Sequence, residues 1–379
     1  MANNNKHTGP NVPALRFPEF SGEWIESKLG DIADFSKGAG ISKDQRSEEG
    51  NPCILYGELY TRYKSEVITN VFSKTALPDS ELVKSKANDI IIPASGETAE
   101  DIATARCVPF DNILLGGDLN IIRLHEQDGK FFSYQLNGVR KYDIATVAQG
   151  VSVVHLHTGD LKGITVKYPS HIAEQEKISQ ILGLIDDRIA TQSKIIEEQE
   201  TLLKSLADSL ISSQEANKAL NDCVVAKSSA MKESELENSG PFSVFGASGL
   251  CGYSNEALEE FDSILVTKDG SGVGTCQYAT GAHSFLGTLC SLTAKEGVYL
   301  PYVYYALLNF NFASFKTGLA IPHIYFKDYG KAVIYCPSYD EQVRIASGLE
   351  KIEAKIKSDK ELLKQYQLQK EYLLSRMFI

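Results

Sequence analysis

A glycine-rich loop after an apolar segment has the residue types most suited to chemistry in this sequence. Residues 268–274 read KDGSGVG and come directly after SILVT at 263–267. A loop of this kind can cradle a phosphate group, but a P-loop ends in GK followed by Ser or Thr and opens a helix. This loop has neither feature, since a second strand-like segment begins near Cys276. The sequence therefore favours a flexible loop or a hairpin turn over a nucleotide site.

Three other patterns resemble catalytic or metal sites without completing them. His155 and His323 occupy equivalent positions of a repeat, yet no cysteine or serine with a matching third group recurs beside both. The segment DIIIP at 89–93 has the acidic residue of a magnesium nuclease motif, but no acid-x-lysine element follows it. The seven cysteines form no CxxC pair, which predicts reduced thiols. We therefore predict no catalysis, no metal and no cofactor in this chain.

The repeat itself is the most informative feature of the sequence. The segment GVSVVHLHTGDLKGITVKYPS begins at Gly150, and GLAIPHIYFKDYGKAVIYCPS begins at Gly318. Each copy is followed by a Glu-Gln pair, at 174–175 and 341–342, and then by an apolar periodic segment. A duplicated unit of this kind predicts two similar domains related by an approximate two-fold axis.

The periodic segments predict two long helices that need an extended partner. Apolar residues alternate in steps of four and three over more than four heptads, which is typical of a coiled-coil seam. About 40 residues at roughly 1.5 Å each give helices on the order of 60 Å long. The most economical arrangement packs the two helices against each other, antiparallel, with a globule at each end. The predicted seam contains Ile178, Leu182, Ile185, Ile189, Ile196, Leu203, Ile345, Leu349, Ile352, Ile356, Leu363 and Tyr366.

Short strand-like and helical segments fill the rest of the chain and set the predicted domain boundaries. Among the clearest are strands at 89–93, 119–124 and 263–267, and helices at 131–140 and after Pro301. The sequence thus predicts an α/β protein in which two α/β domains are separated by two long antiparallel coiled-coil helices, with an internal pseudo-two-fold repeat. The predicted segments are a disordered leader (1–14), a first domain (15–170), a first long helix (171–213), a second domain (214–338) and a second long helix (339–379).

Composition and charge exclude several classes of protein. The 379 residues are 43% hydrophobic and 23% charged, which is typical of a globular protein. No apolar run approaches the roughly 20 residues that span a bilayer, and the first residues lack the apolar core of a signal peptide, so we expect a cytoplasmic protein. The net charge of −11 argues against a basic protein that wraps nucleic acid. Any contact with DNA must use a local positive face or positive charge supplied by a partner.

Several segments resemble the specificity subunit of type I restriction-modification systems. The opening PALRFPEFSGEWIESKLGDIA (13–33) is similar to the start of that family, and so are the two lead-ins YPSHIAEQEKISQILGLIDDRI and YCPSYDEQVRIASGLEKIEAKI. PFSVFGASGLCGYSN (241–255) and ILVTKDGSGVGTCQY (264–278) resemble one class of target recognition domain in it. The resemblance is strongest in the two helices and weak inside the first domain.

The resemblance implies a non-catalytic DNA reader. Two target recognition domains would each read one half of a bipartite site in double-stranded DNA, with the helices holding them at a fixed separation. Two modification subunits would bind S-adenosylmethionine and methylate adenine, and two restriction subunits would complete an ATP-dependent nuclease that uses magnesium. These cofactors are expected on the partner subunits and none on this chain.

The candidate DNA contacts are polar and basic residues at the ends of predicted strands and in the repeat. For each, an ordinary structural role remains the alternative: a surface lysine, a solvated loop, a hairpin turn, or packing for the repeated histidine. They are Lys37, Ser95, Thr98, Arg106, Ser152, Lys268, Ser271, Thr317 and His323. Two other functions also stay open, namely a coiled-coil adaptor whose duplicated domains bind proteins, and a nucleotide-binding enzyme that uses the glycine-rich loop.

Overall fold

The computed structural model describes residues 11–78, 82–150, 153–318 and 321–379. The chain forms two compact units: unit 1 contains the residues up to Thr191 together with Leu363–Ile379, and unit 2 contains Gln192–Leu362. Both unit boundaries fall inside long helices. Each unit therefore consists of one globule with a part of both long helices, whereas the sequence suggested separate globular and helical segments.

Unit 1 is built around an antiparallel four-stranded sheet in the order β2-β10-β6-β8, with a second sheet in the order β3-β5-β4-β9. Its described strands are β1 (Ile25–Lys28), β2 (Ala33–Lys37), β3 (Arg46–Ser47), β4 (Asn51–Ile54), β5 (Ser73–Thr75), β6 (Asp89–Pro93), β7 (Ser95–Gly96), β8 (Arg106–Val108), β9 (Leu114–Leu115), β10 (Leu119–Leu124), β11 (Val154–His155) and β12 (Thr165–Tyr168). Its helices are α1 (Leu29–Ile32), α2 (Glu58–Thr61), α3 (Ala99–Ile102), α4 (Gly129–Asn137), α5 (Lys141–Val147), α6 (Thr158–Lys162) and the first part of α7 (Ile172–Ala207).

Unit 2 repeats this plan with a central sheet in the order β14-β20-β17-β18 and a second sheet in the order β16-β15-β19. Its described strands are β13 (Lys218–Ala219), β14 (Val224–Ser228), β15 (Phe242–Gly246), β16 (Gly249–Ser254), β17 (Ser263–Thr267), β18 (Cys276–Ala279), β19 (His283–Phe285), β20 (Leu289–Ala294) and β21 (Val333–Ile334). Its helices are α8 (Leu220–Cys223), α9 (Leu300–Leu308), α10 (Phe326–Tyr329) and most of α11 (Tyr339–Met377).

The central strands follow directly from their composition. DIIIP and SILVT are short, nearly continuous apolar runs, and every residue of β6 and β17 is buried, as expected for strands covered on both faces. The predicted bounds at 89–93, 119–124 and 263–267 match the strands in the structure. The predicted helix at 131–140 instead runs from Gly129 to Asn137, because the Asp128 side chain caps its first turn and Gly138 follows its end.

The long helices pack through the predicted seam. Every seam residue is buried or half-buried in the structure. In unit 1 the helices run antiparallel: Asp186 of α7 contacts Lys370 of α11, and Arg188 lies over the ring of Tyr366. In unit 2, Gln199 of α7 donates a hydrogen bond to Asp359 of α11 at 2.9 Å. The pKa of Asp359 lies below its usual value because Lys355 and Gln199 donate hydrogen bonds to its carboxylate.

A buried glutamine joins each globule to its long helix. The Gln175 amide oxygen accepts from the backbone N–H of Asp128, which is the N-cap residue of α4, and its amide nitrogen donates to the carbonyl of Pro169. Gln342 makes the same two bonds, to Tyr299 at the start of α9 and to Pro337. Both side chains are at most 2% exposed. The repeated proline and glutamine therefore form the same joint between the lead-in, the long helix and the globule in both units.

A tyrosine and a carboxylate form a second joint in each unit. Tyr134 of α4 donates a hydrogen bond to Asp186 of α7 at 2.7 Å, and Tyr305 of α9 donates one to Glu353 of α11 at 2.7 Å. Burial and the neighbouring carboxylate raise the pKa of both hydroxyl groups. These tyrosines remain donors at any physiological pH.

Unit 1 adds a buried charge cluster at this joint. Lys370 contacts Glu66 of the globule at 2.5 Å and Asp186 of α7 at 2.6 Å. Burial raises the pKa of the Glu66 carboxyl group, while Glu66 and Asp186 hold the pKa of Lys370 above its usual value against the effect of burial. Lys370 stands at the seam position that Leu203 occupies in the other copy of the repeat. One lysine thus links the globule and both long helices.

The N-terminal segment is ordered earlier than the sequence suggested. Residues 1–14 were expected to be a disordered leader, and residues 1–10 of it lie outside the described residues. Asn11, however, accepts hydrogen bonds from Trp24 through its carbonyl and from Lys167 through its side chain. The prediction is therefore wrong for the segment that begins at Asn11, because these long-range contacts have no signal in local composition.

We expect Gln175→Ala to lower the free energy of unfolding of unit 1 by about 1–3 kcal/mol, since it leaves a buried N–H and a buried carbonyl without partners. Gln180→Ala, at an exposed position of the same helix, is the matched control and should change stability by less than about 0.5 kcal/mol. Urea denaturation followed by circular dichroism measures both. Equal effects of the two substitutions would contradict the proposed joint.

Replacing Lys370 with methionine should cost about 3–5 kcal/mol near neutral pH, because it leaves buried carboxylates without a cation. The raised pKa of Glu66 sets the sign of the pH dependence. This penalty is absent below the pKa of an unfolded glutamate, about 4.3, and grows as the pH rises through the folded pKa.

The stability difference between the wild type and Lys370→Met should therefore shrink as urea denaturation is repeated at pH values from about 7 to about 5. Lys364→Met, at an exposed position of α11, should show a small difference at every pH. A difference for Lys370→Met that stays constant with pH would show that Glu66 is not the group left without a partner.

Candidate nucleic-acid interface

Three of the candidate contacts of unit 1 lie at one end of its central sheet. Lys37 is the last residue of β2 and pairs with Asn120 near the start of β10, and Pro93 at the end of β6 pairs with Leu119. Because neighbouring strands are antiparallel, the ends of β2 and β6 meet the start of β10 at the same edge. Ser95 and Thr98 follow β6 there. We call this end of the sheet, with the loops that leave it, the loop edge.

Unit 2 has the same loop edge. Ser228 at the end of β14 pairs with Cys290, and Thr267 at the end of β17 pairs with Leu289. The glycine-rich segment leaves the sheet at this point as a tight hairpin into β18, with Thr267 and Thr275 paired at its base. A strand follows where a P-loop needs a helix, which is consistent with a hairpin turn rather than a phosphate cradle.

The sequence repeat forms a short hairpin beside each loop edge. Gln149 and His155 exchange two backbone hydrogen bonds of 2.9 and 2.7 Å, and Thr317 and His323 exchange two of 2.9 and 2.8 Å. His155 then pairs with Ser95, and His323 pairs with Asp269. The repeated histidines thus hold the hairpin against the loop after the central strand.

The glycine that opens each hairpin is required by its backbone. Gly150 and Gly318 have φ values of 127° and 89°, a region that residues with a Cβ rarely adopt. A Cβ would also lie only 2.1 Å from the carbonyl oxygen of Val153 or 2.3 Å from that of Ile321. The exposed side chains of Val153 and Ile321 follow at equivalent places. The repeat therefore preserves a glycine with positive φ and an exposed apolar residue on each hairpin.

The structure separates the candidates of unit 1 into accessible and buried residues. Lys37 and Thr98 are exposed, and Thr98 also caps α3 by accepting from Asp101. Ser95 is 8% exposed and forms part of the β7–β11 pair. Ser152 lies outside the described residues.

Arg106 does not belong to the surface. Its side chain is 8% exposed and donates to the carbonyls of Ala105 and Tyr63. Burial lowers the pKa of its guanidinium group, although Glu66 and Asp186 act in the opposite direction. The sequence-based expectation of a guanine or phosphate contact at Arg106 is therefore corrected: its hydrogen bonds and its partner charges lie inside unit 1.

The four candidates of unit 2 come together around the hairpin. The carbonyl of Lys268 accepts from the backbone N–H of Ile324, next to the bridge between Asp269 and His323. Ser271 is exposed at the tip of the glycine-rich hairpin, and Thr317 is exposed beside it. His323 is half-buried. These residues are far apart in sequence, and the pairing of the two hairpins places them on one surface.

Sequence reasoning missed an open cleft beside the loop edge of unit 1. Its volume is about 700 Å³, and its lining includes Lys43, Arg46, Tyr60, Arg62 and Glu97. The basic residues come from a 3-10 turn, from β3 and from the end of α2, and no periodic signal connects these three segments. Only the approach of the second sheet to the loop edge places them around one cavity.

Within the four described ranges, no group of three or more histidine, cysteine, aspartate or glutamate residues is arranged to hold a metal ion. None of the described helices is long and apolar enough to cross a membrane.

The fold of this chain is similar to that of known proteins. Two solved structures share the fold over nearly the whole chain. The S subunit of a type I restriction-modification system from M. genitalium is 21% identical with a TM-score of 0.69, over 97% of this chain and 99% of that chain. A chain from a study of complex assembly and conformational transition of the type I R-M system is 13% identical with a TM-score of 0.56, over 94% of this chain and 97% of that chain.

The family assignment comes from sequence. No curated protein matches the chain significantly. The family model described as the type I restriction modification DNA specificity domain matches residues 21–201 and again residues 216–367. Since these two matches cover most of the chain and one falls on each copy of the repeat, the chain belongs to the family of type I restriction-modification DNA specificity proteins.

Proposed function

We propose that this chain is the specificity subunit of a type I restriction-modification complex, with unit 1 and unit 2 each reading one half of a bipartite site in double-stranded DNA. The observation that carries the proposal is the contrast between a repeated frame and diverged loops. Both units share the central sheet, the buried glutamine joint and the hairpin beside the loop edge. The loops at that edge differ, as two readers of different sequences require.

The two long helices would set the gap between the half-sites. Each is continuous across a unit boundary, α7 over 36 residues and α11 over 39. A paired helical rod resists bending, so the number of unread base pairs becomes a consequence of helix length. The polar Gln199–Asp359 contact on the helix pair would help to fix register, since a misaligned pair leaves these groups buried without partners.

Chemistry would come from partner subunits in the cytoplasm. We propose that two modification subunits bind S-adenosylmethionine and methylate adenine, and that two restriction subunits use ATP and magnesium to translocate and cut DNA. The chain itself would carry no cofactor and would direct these activities to the target. With a net charge of −11, it would leave much of the neutralisation of phosphates to its partners.

Lengthening both helices should lengthen the gap. A seven-residue insertion preserves the heptad seam and adds roughly 10 Å to a helix. Inserted between Thr191 and Gln192 and also between Leu362 and Leu363, it should add about three base pairs to the gap in the methylated motif, at about 3.4 Å each. The same insertion in one helix only is the control and should impair methylation. An unchanged gap in the double insertion would refute the spacer role.

Two experiments test whether this chain reads the target sequence: deletion of its gene and exchange of its first domain. Mapping methylated adenines in cells that carry the partner subunits should reveal a bipartite motif that disappears when this chain is removed. Replacing residues 15–170 by the first domain of another family member should change one half-site and leave the other intact. A methylation pattern that is the same with and without the chain would support the adaptor function instead.

A further inference from the structure

The cleft beside the loop edge of unit 1 contains two arginine side chains that one buried carboxylate holds in place. Glu58 is 5% exposed, and its Oε1 atom lies 3.3 Å from Arg62 Nη1 and 3.9 Å from Arg46 Nη1. Ser73 and the backbone N–H of Leu55 also donate to this carboxylate. These two contacts hold the carboxylate in place, so that it can orient both arginines.

Both guanidinium groups keep donors available to a ligand. The Arg46 side chain is 37% exposed and the Arg62 side chain is 43% exposed. A guanidinium group has five N–H donors. Arg62 uses Nη1 on Glu58 and Ser73, which leaves its Nε and Nη2 as a planar donor pair, whereas Arg46 also donates from Nε to the carbonyl of Lys43 and keeps Nη2. Arg62 is restrained further by Phe72, whose ring centre lies 4.7 Å from its central carbon. Such restraint reduces the conformational entropy lost when the group binds.

The charge around the cleft favours recognition by geometry over simple attraction of an anion. Lys43 adds a positive charge, but Glu97 and Asp118 also line the cleft, in addition to Glu58. Three carboxylates offset the three basic groups. A phosphate contact gains chiefly from excess positive charge, which this cleft does not have. A planar donor pair with a fixed orientation instead matches the O6 and N7 acceptors of guanine in the major groove.

The cleft belongs to the part of the fold where the two units differ. In unit 1 the chain leaves β4 and enters α2, which supplies Glu58 and leads to Arg62. In unit 2 the chain leaves β15, which like β4 has a parallel neighbour, and turns back as β16. Arg46 follows a 3-10 turn at Lys43–Gln45, and Leu236 follows the corresponding turn at Glu233–Glu235. A group that reads only one half-site should vary in this way.

We propose that Arg46 and Arg62 are specificity-determining residues of unit 1, which read guanine in its half-site, and that Glu58 is the residue that positions them. This inference rests on the proposed function. It predicts that at least one guanine in the half-site of unit 1 is recognised through the O6 and N7 edge.

The test is the methylation motif of Arg46→Lys and Arg62→Lys in cells that carry the partner subunits. Lysine retains the charge but loses the planar pair of donors. We expect preference for guanine at one position of the unit 1 half-site to fall by roughly 5- to 150-fold in either variant or both, the range for one bidentate arginine–guanine pair. The half-site of unit 2 should not change.

Arg123→Lys is the matched control. Arg123 also pairs with a buried carboxylate, that of Asp89, at 2.6 Å, but at the opposite end of the same central sheet. Its substitution should leave the motif intact. Thermal melting of the purified chain with its modification subunits checks that the variants fold, and Glu58→Gln should relax the same position as the arginine variants.

Three outcomes would overturn the inference. An unchanged motif in both arginine variants excludes base reading, and so does a uniform loss of methylation at all sites, which indicates phosphate contacts. In binding assays with the wild-type complex, 7-deazaguanine at each guanine of the unit 1 half-site removes N7; no weakening at any position would also exclude it. If the wild-type chain itself directs no bipartite motif, the proposed function fails instead, so the two failures are distinguishable.

Discussion

A buried backbone amide must have a hydrogen-bond partner, and this constraint determines how each globule is attached to its long helix. Gln175 and Gln342 each satisfy an N–H at the start of a globule helix and a carbonyl in the lead-in to the long helix. Both ends of each amide are used, so the glutamine has one acceptable orientation. The joint therefore fixes the first turn of the globule helix against the start of the long helix in each unit.

The two units differ in the charged residues that join the globule to the long helices. Both use a tyrosine that donates to a carboxylate on a long helix, but unit 1 adds Lys370 between Glu66 and Asp186. Removing one partner of such a cluster leaves a buried charge unpaired and lowers the free energy of unfolding. Leu203, at the equivalent seam position of the other repeat copy, carries no charge and avoids this penalty. Both units are held to the long helices by hydrogen bonds as well as by apolar packing, and unit 1 has the buried ion pairs of Lys370 in addition.

At the loop edges, some structural features occur in both units and others occur in only one. Gly150 and Gly318 both have a positive φ, and His155 and His323 both bridge to the loop after the central strand. The segments that follow β4 and β15 share neither secondary structure nor charged residues. Under the proposed function, the elements common to both units would serve what both half-sites have in common, and the segments that differ would distinguish them.

The sequence by itself determined the duplication, the heptad seam and the central strands. These depend on local periodicity and on repetition, and burial of an apolar face leaves a pattern that can be read along the chain. Of the candidate contacts that the sequence offers, Lys37, Thr98, Ser271 and Thr317 are exposed in the structure and Lys268 is half-buried.

Only the tertiary structure decided which polar residues are accessible and which act together. Arg106 looked like a surface arginine but is buried among backbone carbonyls and carboxylates. Arg46 and Arg62, which carry no motif, meet at one carboxylate. The environment of a charged side chain depends on residues brought together from distant segments, and no local pattern contains that information.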